Sequence, residues 1–348
     1  MSRYLSERLQ ALAPYVPGEQ PKVKLIKLNT NESPFPPAPG VREAVAAVAG
    51  SLQLYNDLSA AKLTQLLAET YGLKENQVTV SNGSDEILAF AFQAFGGHGL
   101  AFPDITYGFY PVWAELYGLD AKIIPLDDDF NINIQDYQGN DRCVVIANPN
   151  APTGKALPLS ALKEIAEKNP DQVVIVDEAY VDFGGESALA LVPEFDNVLV
   201  VRTFSKSRQL AGARLGFAMG SAALIDDLNR VRFSFHPYNV NTLTQAAGAT
   251  ALEQPEYFET CREAIIETRA WTVAELTKLG FRVLDSKANF VFASAPGMSG
   301  AAYQKGLREQ NILIRHFNLP RIQDFVRITI GTKAQMEALI EATKELLK

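Results

Sequence analysis

Short β-branched runs separated by amphipathic stretches constrain the fold of this 348-residue chain more than any other feature. The runs are Gln77–Val80, Leu100–Phe102, Lys122–Pro125, Cys143–Ala147, Val173–Val176, Val198–Arg202 and Leu215–Met219. Helical patterns at Asp85–Phe95, Tyr110–Tyr117 and Leu159–Lys168 lie between several of them. Strands that alternate with helices need crossover connections, which build a mostly parallel sheet. Nearly continuous apolar strands require that both faces be covered. The predicted class is therefore α/β, with a mostly parallel seven-stranded sheet.

After a long helical region, Thr242–Leu279, the pattern changes. Phe281–Leu284, Asn289–Ala293, Ile312–Arg315 and Phe325–Ile330 are expected strands of a smaller α+β domain. The first 30 or so residues predict a helix followed by LNTNESPFPPAPG, a docking arm or lid. The division expected is residues 1–28 as an arm or part of the small domain, 29–255 as the large domain and 256–348 as the small one.

A net charge of −8 argues against general nucleic-acid binding. The two cysteines, Cys143 and Cys261, have no metal or disulfide spacing, and no metal site is expected. The opening stretch MSRYLSERLQALAPYVPG scatters its charges and lacks the apolar core of a signal peptide. No apolar run is long enough to span a membrane. A cytoplasmic, enzyme-sized protein with no membrane partner is the expectation.

In open parallel sheets, ligands meet the chain beyond the carboxyl ends of the strands. Four such ends carry chemistry here. Val173–Val176 runs into Asp177, which either caps the next helix or pairs with something positive, a metal or a protonated ring nitrogen. No His or Cys cluster accompanies it, which counts against the metal. Cys143–Ala147 runs into NPNAPTG, a rigid turn that would present Asn150 at fixed geometry. Val80 leads to SNGSDE, either an ordinary helix N-cap or a set of free backbone N–H groups for an anion. Val198–Arg202 leads to TFSKSRQLAGARLG, where Ser205 and Arg214 can hold a dianion beside Lys206. A lysine near other cations has a lowered pKa and serves as a nucleophilic amine. Phosphate cradle, carboxylate, oxygen-binding amide and amine are together the requirements of pyridoxal 5′-phosphate.

The sequence also resembles a known family. NPNAPTG is similar to the NPNNPTG motif, Val176–Tyr180 to VDEAY, and Thr203–Gly216 to SFSKxxxLAGxRxG, in matching order. These mark the fold-type I aminotransferases, and the resemblance covers nearly the whole chain. Within that group it extends to the histidinol-phosphate aminotransferases through LNTNESPFPP, Tyr55-Asn56-Asp57, SNGSDE, Pro237–Asn241, Arg315 and VRITIGT. The resemblance implies that Lys206 is the Schiff-base lysine and proton carrier, and that Asp177 pairs with the pyridinium nitrogen. It implies that Asn150 and Tyr180 bond the phenolic oxygen, and that Tyr107 stacks on the ring. Ser205, Arg214 and the backbone at Ser84–Asp85 would hold the cofactor phosphate, with Tyr55 reaching it from the other subunit of a homodimer. Arg327 would grip a carboxylate, Arg315 the substrate phosphate, and Asn31 would also face the substrate. The partners implied are a small amino donor and a 2-oxo acid.

Three departures stand out: Ala151 replaces the second Asn of NPNNPTG, and Ile314–Asn318 and Arg232–His236 differ from the usual pattern. An aromatic amino-acid aminotransferase would use the same residues. A threonine-phosphate decarboxylase would release carbon dioxide instead of transferring the amino group. None of the three histidines sits in a GxSxG-like context, so a hydrolase triad is not indicated. Gly96-Gly97-His98-Gly99 precedes a strand and is a turn, not a dinucleotide loop.

Overall fold

The structure is a computed structural model that describes residues 3–23 and 25–348. Strand β1 is Ile26–Leu28. The next seven strands are β2 (Val78–Ser81), β3 (Leu100–Pro103), β4 (Ala121–Ile124), β5 (Cys143–Ala147), β6 (Val174–Asp177), β7 (Val198–Thr203) and β8 (Gly216–Met219). They form one sheet in the order β2-β8-β7-β6-β5-β3-β4. Only β8 runs against its neighbours β2 and β7; the remaining pairs are parallel. The expected mostly parallel seven-stranded sheet is present, each strand within a residue or two of its predicted ends.

Side chains alternate across this sheet with period two. Val144, Ile146, Val174, Val176, Val198 and Val200 enter one core. Cys143, Val145, Ile175, Leu199 and Val201 enter another on the opposite face. With both faces buried, polar side chains are left to the strand ends, which converge at one edge.

Strands β9 (Arg282–Val283), β10 (Phe290–Ser294), β11 (Ile312–His316) and β12 (Phe325–Thr329) join β1 in a second sheet, β1-β11-β12-β10-β9. Leu28, Val291, Ile312, Ile314, Val326 and Ile328 pack there against Met336, Leu339 and Ile340 of the helix Lys333–Leu346. The helical region Thr242–Leu279 divides into Thr242–Leu252 and Pro255–Lys278. Pro255 opens the second helix, where a missing N–H costs nothing.

The amino-terminal segment differs from the expected helix. Only Glu7–Gln10 is α-helical, and Pro14, Pro17 and Pro21 follow it. A residue before proline is disfavoured in the helical region, so the segment runs extended. It then pairs as β1 in parallel with β11, Ile26 opposite Ile312.

Gly216, at the start of β8, fits closely against the turn before the helix Ser84–Phe95. A Cβ there would lie 2.2 Å from Ser84 N and 2.5 Å from the Gly83 carbonyl carbon. Both obstacles are backbone and cannot swing away. Gly216→Ala is expected to lower stability by about 1–3 kcal/mol, read as a shift in the urea midpoint. Gly50→Ala, with nothing within 4 Å of the new methyl, should leave the midpoint nearly unchanged.

Candidate active site

The carboxyl ends of β2, β5, β6 and β7 open into one cavity of about 440 Å³. Its far wall comes from β11, β12 and the amino-terminal segment, which supply Arg315, Arg327, Tyr15, Pro17 and Thr30–Glu32. Every residue singled out from the sequence lines it except Asn150 and Tyr55.

Lys206 and Asp177 define the floor. The Lys206 amine donates to the Thr30 carbonyl at 3.3 Å and lies 5.8 Å from the Tyr180 ring centre. Asp177 is 5% exposed. Its Oδ2 accepts the Tyr110 hydroxyl at 2.7 Å, and its Oδ1 accepts the Ala179 N–H at 3.2 Å. Asn31 Nδ2 donates to the Tyr180 oxygen at 3.0 Å. With that lone pair occupied, the Tyr180 hydroxyl keeps its own proton to donate into the cavity.

At one end, the helix Ser84–Phe95 begins without a side-chain cap, and Gly83 precedes it at φ 87°. Uncapped N–H groups at a helix start favour an anion. Arg214 and Ser205 stand beside this terminus, 3.5 Å apart. A Cβ on Gly83 would come within 2.6 Å of the Arg214 guanidinium, and the positive φ at this position favours glycine. Asp85 shares the cradle, accepting from Arg214 at 3.0 Å and from the Tyr107 hydroxyl at 2.8 Å.

At the other end, Arg315 and Arg327 face each other across β11 and β12. Like charges directly opposite repel. Among the described residues neither forms an ion pair with an acid. Arg327 donates to the Asn29 carbonyl at 3.1 Å, and its Nε is buried without a partner. Two adjacent guanidinium groups that line a cavity with no acid partner among the described residues describe a site for anions. Amine, buried acid, uncapped helix terminus and arginine pair fit a phosphorylated aldehyde cofactor with an anionic substrate. The family described as Aminotransferase class I and II matches residues 23–342 of this sequence.

The chain belongs to that aminotransferase family.

Curated relatives agree along the full length. A histidinol-phosphate aminotransferase of Dechloromonas aromatica is 51% identical, covering 99% of both chains. One from Methylococcus capsulatus is 50% identical, covering 100% of this chain and 98% of its own. Among solved structures, histidinol-phosphate aminotransferase from Sinorhizobium meliloti, in complex with pyridoxal-5′-phosphate, has the same fold. It superposes with a TM-score of 0.88 at 24% identity, covering 100% of this chain and 98% of the other.

One residue of this aminotransferase does not stand where the sequence reading put it. Asn150 does not present its amide to the cavity. Its Oδ1 accepts from Thr106 at 2.9 Å, and its Nδ2 donates to the Ile105 carbonyl at 2.9 Å and to Thr153 at 3.1 Å. The amide braces the turn, and the neighbour that faces the cavity is Ala151, which has no polar group. Tyr55 is 82% exposed and stacks on Tyr238 at 4.4 Å, outside its own chain's cavity. Asn31 does line the cavity, but its amide is committed to Tyr180 and Thr329. In this structure it orients Tyr180.

The sequence reading also missed lining residues. Tyr15 stacks on Phe109 at 4.2 Å, and Glu32 joins the wall while paired to Lys27. No motif marks either: Tyr15 packs on rings far along the chain, and Glu32 is held by Lys27 and Thr30. Tyr110 is buried in the core, but its hydroxyl holds Asp177.

Burial pushes the Lys206 amine down to about 8, helped by the nearby positive charge of Arg327 and opposed by Asp85 and Glu32. Burial likewise raises the Asp177 carboxyl to about 6, against the lowering hydrogen bonds from Tyr110 and Ala179. The neutral amine is the reactive form, so cofactor-free protein should react with a small electrophile at Lys206 increasingly as pH rises through about 8. An ordinary lysine responds near 10.4. Arg327→Ala removes a cation that lowers the amine and should move the midpoint upward. Peptide mapping across a pH series checks both, and a midpoint near 10.4 in the unsubstituted protein would contradict the assignment.

Proposed function

We propose that this protein is a pyridoxal 5′-phosphate-dependent aminotransferase of histidine biosynthesis. It interconverts histidinol phosphate and 2-oxoglutarate with imidazole acetol phosphate and glutamate. The observation that carries the reading is the Arg315–Arg327 couple, without an acid partner among the described residues, in one cavity with the Lys206 amine. Glutamate brings two carboxylates to that cavity and histidinol phosphate brings a phosphate dianion. Arg327 serves a carboxylate of the one and Arg315 the phosphate of the other. The relatives at about half identity carry the same activity in their names.

Bound pyridoxal 5′-phosphate supplies an electrophilic carbon for amines and a ring that withdraws electrons. The protein supplies the rest. Lys206, with its amine lowered by burial, is neutral in part of the population near neutral pH. It serves as the base that takes a proton from the substrate Cα and returns it to the other side of the reacting carbon–nitrogen unit. Asp177 holds a proton against the ring nitrogen at the cavity floor. Tyr180, fixed by Asn31, donates to the phenolic oxygen without help from an amide in the NPNAPTG turn. Tyr107 flanks the ring, anchored through its hydroxyl to Asp85. Ser205, Arg214 and the N–H groups at Ser84–Asp85 hold the cofactor phosphate. Arg327 takes a carboxylate through its fork. The exposed Tyr55 acts on the cavity of the other subunit in a homodimer. No helix among the described residues is long and apolar enough to cross a membrane, and we place the enzyme in the cytoplasm.

Visible absorption of the purified protein tests this reading. Low histidinol phosphate should bleach the yellow of bound cofactor and 2-oxoglutarate should restore it. Equal bleaching by phenylalanine would instead indicate an aromatic amino-acid enzyme. Lys206→Ala should abolish turnover while leaving the fold intact. Arg315→Ala should raise KM for histidinol phosphate by about tenfold or more, the worth of a hydrogen bond to a charged group. Its effect on glutamate should be far smaller, and equal losses would remove the phosphate from Arg315.

A further inference from the structure

Tyr110 is not part of the cavity wall, yet its hydroxyl reaches the deepest acid of the cavity from behind. The contact to Asp177 Oδ2, at 2.7 Å, has the usual length for a hydroxyl–carboxylate pair and is the one hydrogen bond of that hydroxyl among the described residues. The side chain is fully buried. Four rings surround it, with centroids at 5.8 Å for Phe92, 5.7 Å for Phe102, 5.6 Å for Tyr107 and 6.4 Å for Trp113. Tyr110 also begins the helix Tyr110–Tyr117, with Pro111 next, so its backbone is fixed as well as its ring. Burial and the neighbouring Asp177 charge both push its ionisation well up, so it remains a donor.

Asp177 thus receives one donor on each oxygen, Tyr110 on Oδ2 and Ala179 on Oδ1. Two donors on opposite oxygens fix the plane of a carboxylate. A donor also favours the ionised form, against the burial that disfavours it. A proton shared between a carboxylate and a ring nitrogen goes to the stronger base. A phenol bonded to the carboxylate weakens that side of the competition. Aromatic packing alone does not require this hydroxyl, because phenylalanine would fill the same cage.

We propose that Tyr110 is a positioning residue: its hydrogen bond aims the Asp177 carboxylate into the cavity and keeps the shared proton on the ring nitrogen of the cofactor. This rests on the pyridoxal phosphate reading above. The hydroxyl never touches the cofactor, so its influence must pass through Asp177.

A double-mutant cycle tests that dependence. Cofactor-free forms of the unsubstituted protein, Tyr110→Phe, Asp177→Asn and the double variant are titrated with pyridoxal 5′-phosphate. They are then titrated with an analogue in which a C–H group replaces the ring nitrogen. Tyr110→Phe should weaken pyridoxal 5′-phosphate binding about tenfold, as for the loss of one hydrogen bond to a charged group. The loss should shrink to about twofold or less in the Asp177→Asn background and with the analogue. The melting temperature of cofactor-free Tyr110→Phe reports whether the cage is intact. A loss of equal size in both backgrounds and with both ligands would make Tyr110 a packing residue and overturn the proposal. No loss at all would overturn it too. Failure of the unsubstituted protein to bind pyridoxal 5′-phosphate is a different result, and it overturns the cofactor reading itself.

Discussion

The geometry of the active site depends on a buried ion pair that never faces it. β6 ends at Asp177 and Glu178 follows it; Asp177 lines the cavity and Glu178 does not. Glu178 is 2% exposed and needs a cation. Arg202, on adjacent β7, supplies it at 2.9 Å and extends to Asp182 at 3.3 Å and Ser187 at 2.8 Å. Ser207 donates to the same Asp182 at 2.5 Å. Lys206 is therefore bracketed by a residue anchored to this knot, and Asp177 by another. A buried carboxylate stripped of its cation costs about 3–5 kcal/mol, which makes the arrangement hard to loosen. Amine and acid inherit their separation from it.

The cavity itself is electrostatically uneven. Asp85 is matched to Arg214, and Glu32 to Lys27. Arg315 and Arg327 have no acid, so positive charge collects at the wall made by the smaller sheet. Burial, and after it the positive charge of Arg327, lowers the Lys206 amine. The feature that attracts anionic substrates thus also readies the nucleophile. An anion bound beside Arg327 relieves part of that field.

What was legible in the sequence follows from locality. The strands of the larger sheet are continuous apolar runs ending in polar residues, so both their boundaries and the ends bearing Asp177 and Lys206 could be read directly. The SNGSDE turn was legible for the same reason. Asn150 was misassigned because a turn's sequence does not say which of two adjacent side chains points outward. The structure points Ala151 outward and uses Asn150 as a brace. The chemical part of Tyr110 was hidden because an aromatic residue at a helix start looks like core, and it is core except for one oxygen. β1 and Tyr15 could not be found locally at all. Their partners lie in β11 and the Phe109 segment, and prolines that suggest a loop conceal a strand.

The long-range closure of the far wall has a consequence for synthesis. Asn31 is bonded to Thr329, 298 residues later, and β1 pairs with β11. Chains emerge from the amino terminus and fold by units as they do so. The larger sheet has all its strands once residue 219 is out, so amine and acid can stand in place early. The residues that roof the cavity are older still, but they have nothing to pair with until β11 and β12 arrive. A nascent chain would carry Lys206 and Asp177 in an open cleft, without the burial and the Arg327 charge that lower the amine. The last strands made both ready the lysine and decide what the first strands may hold.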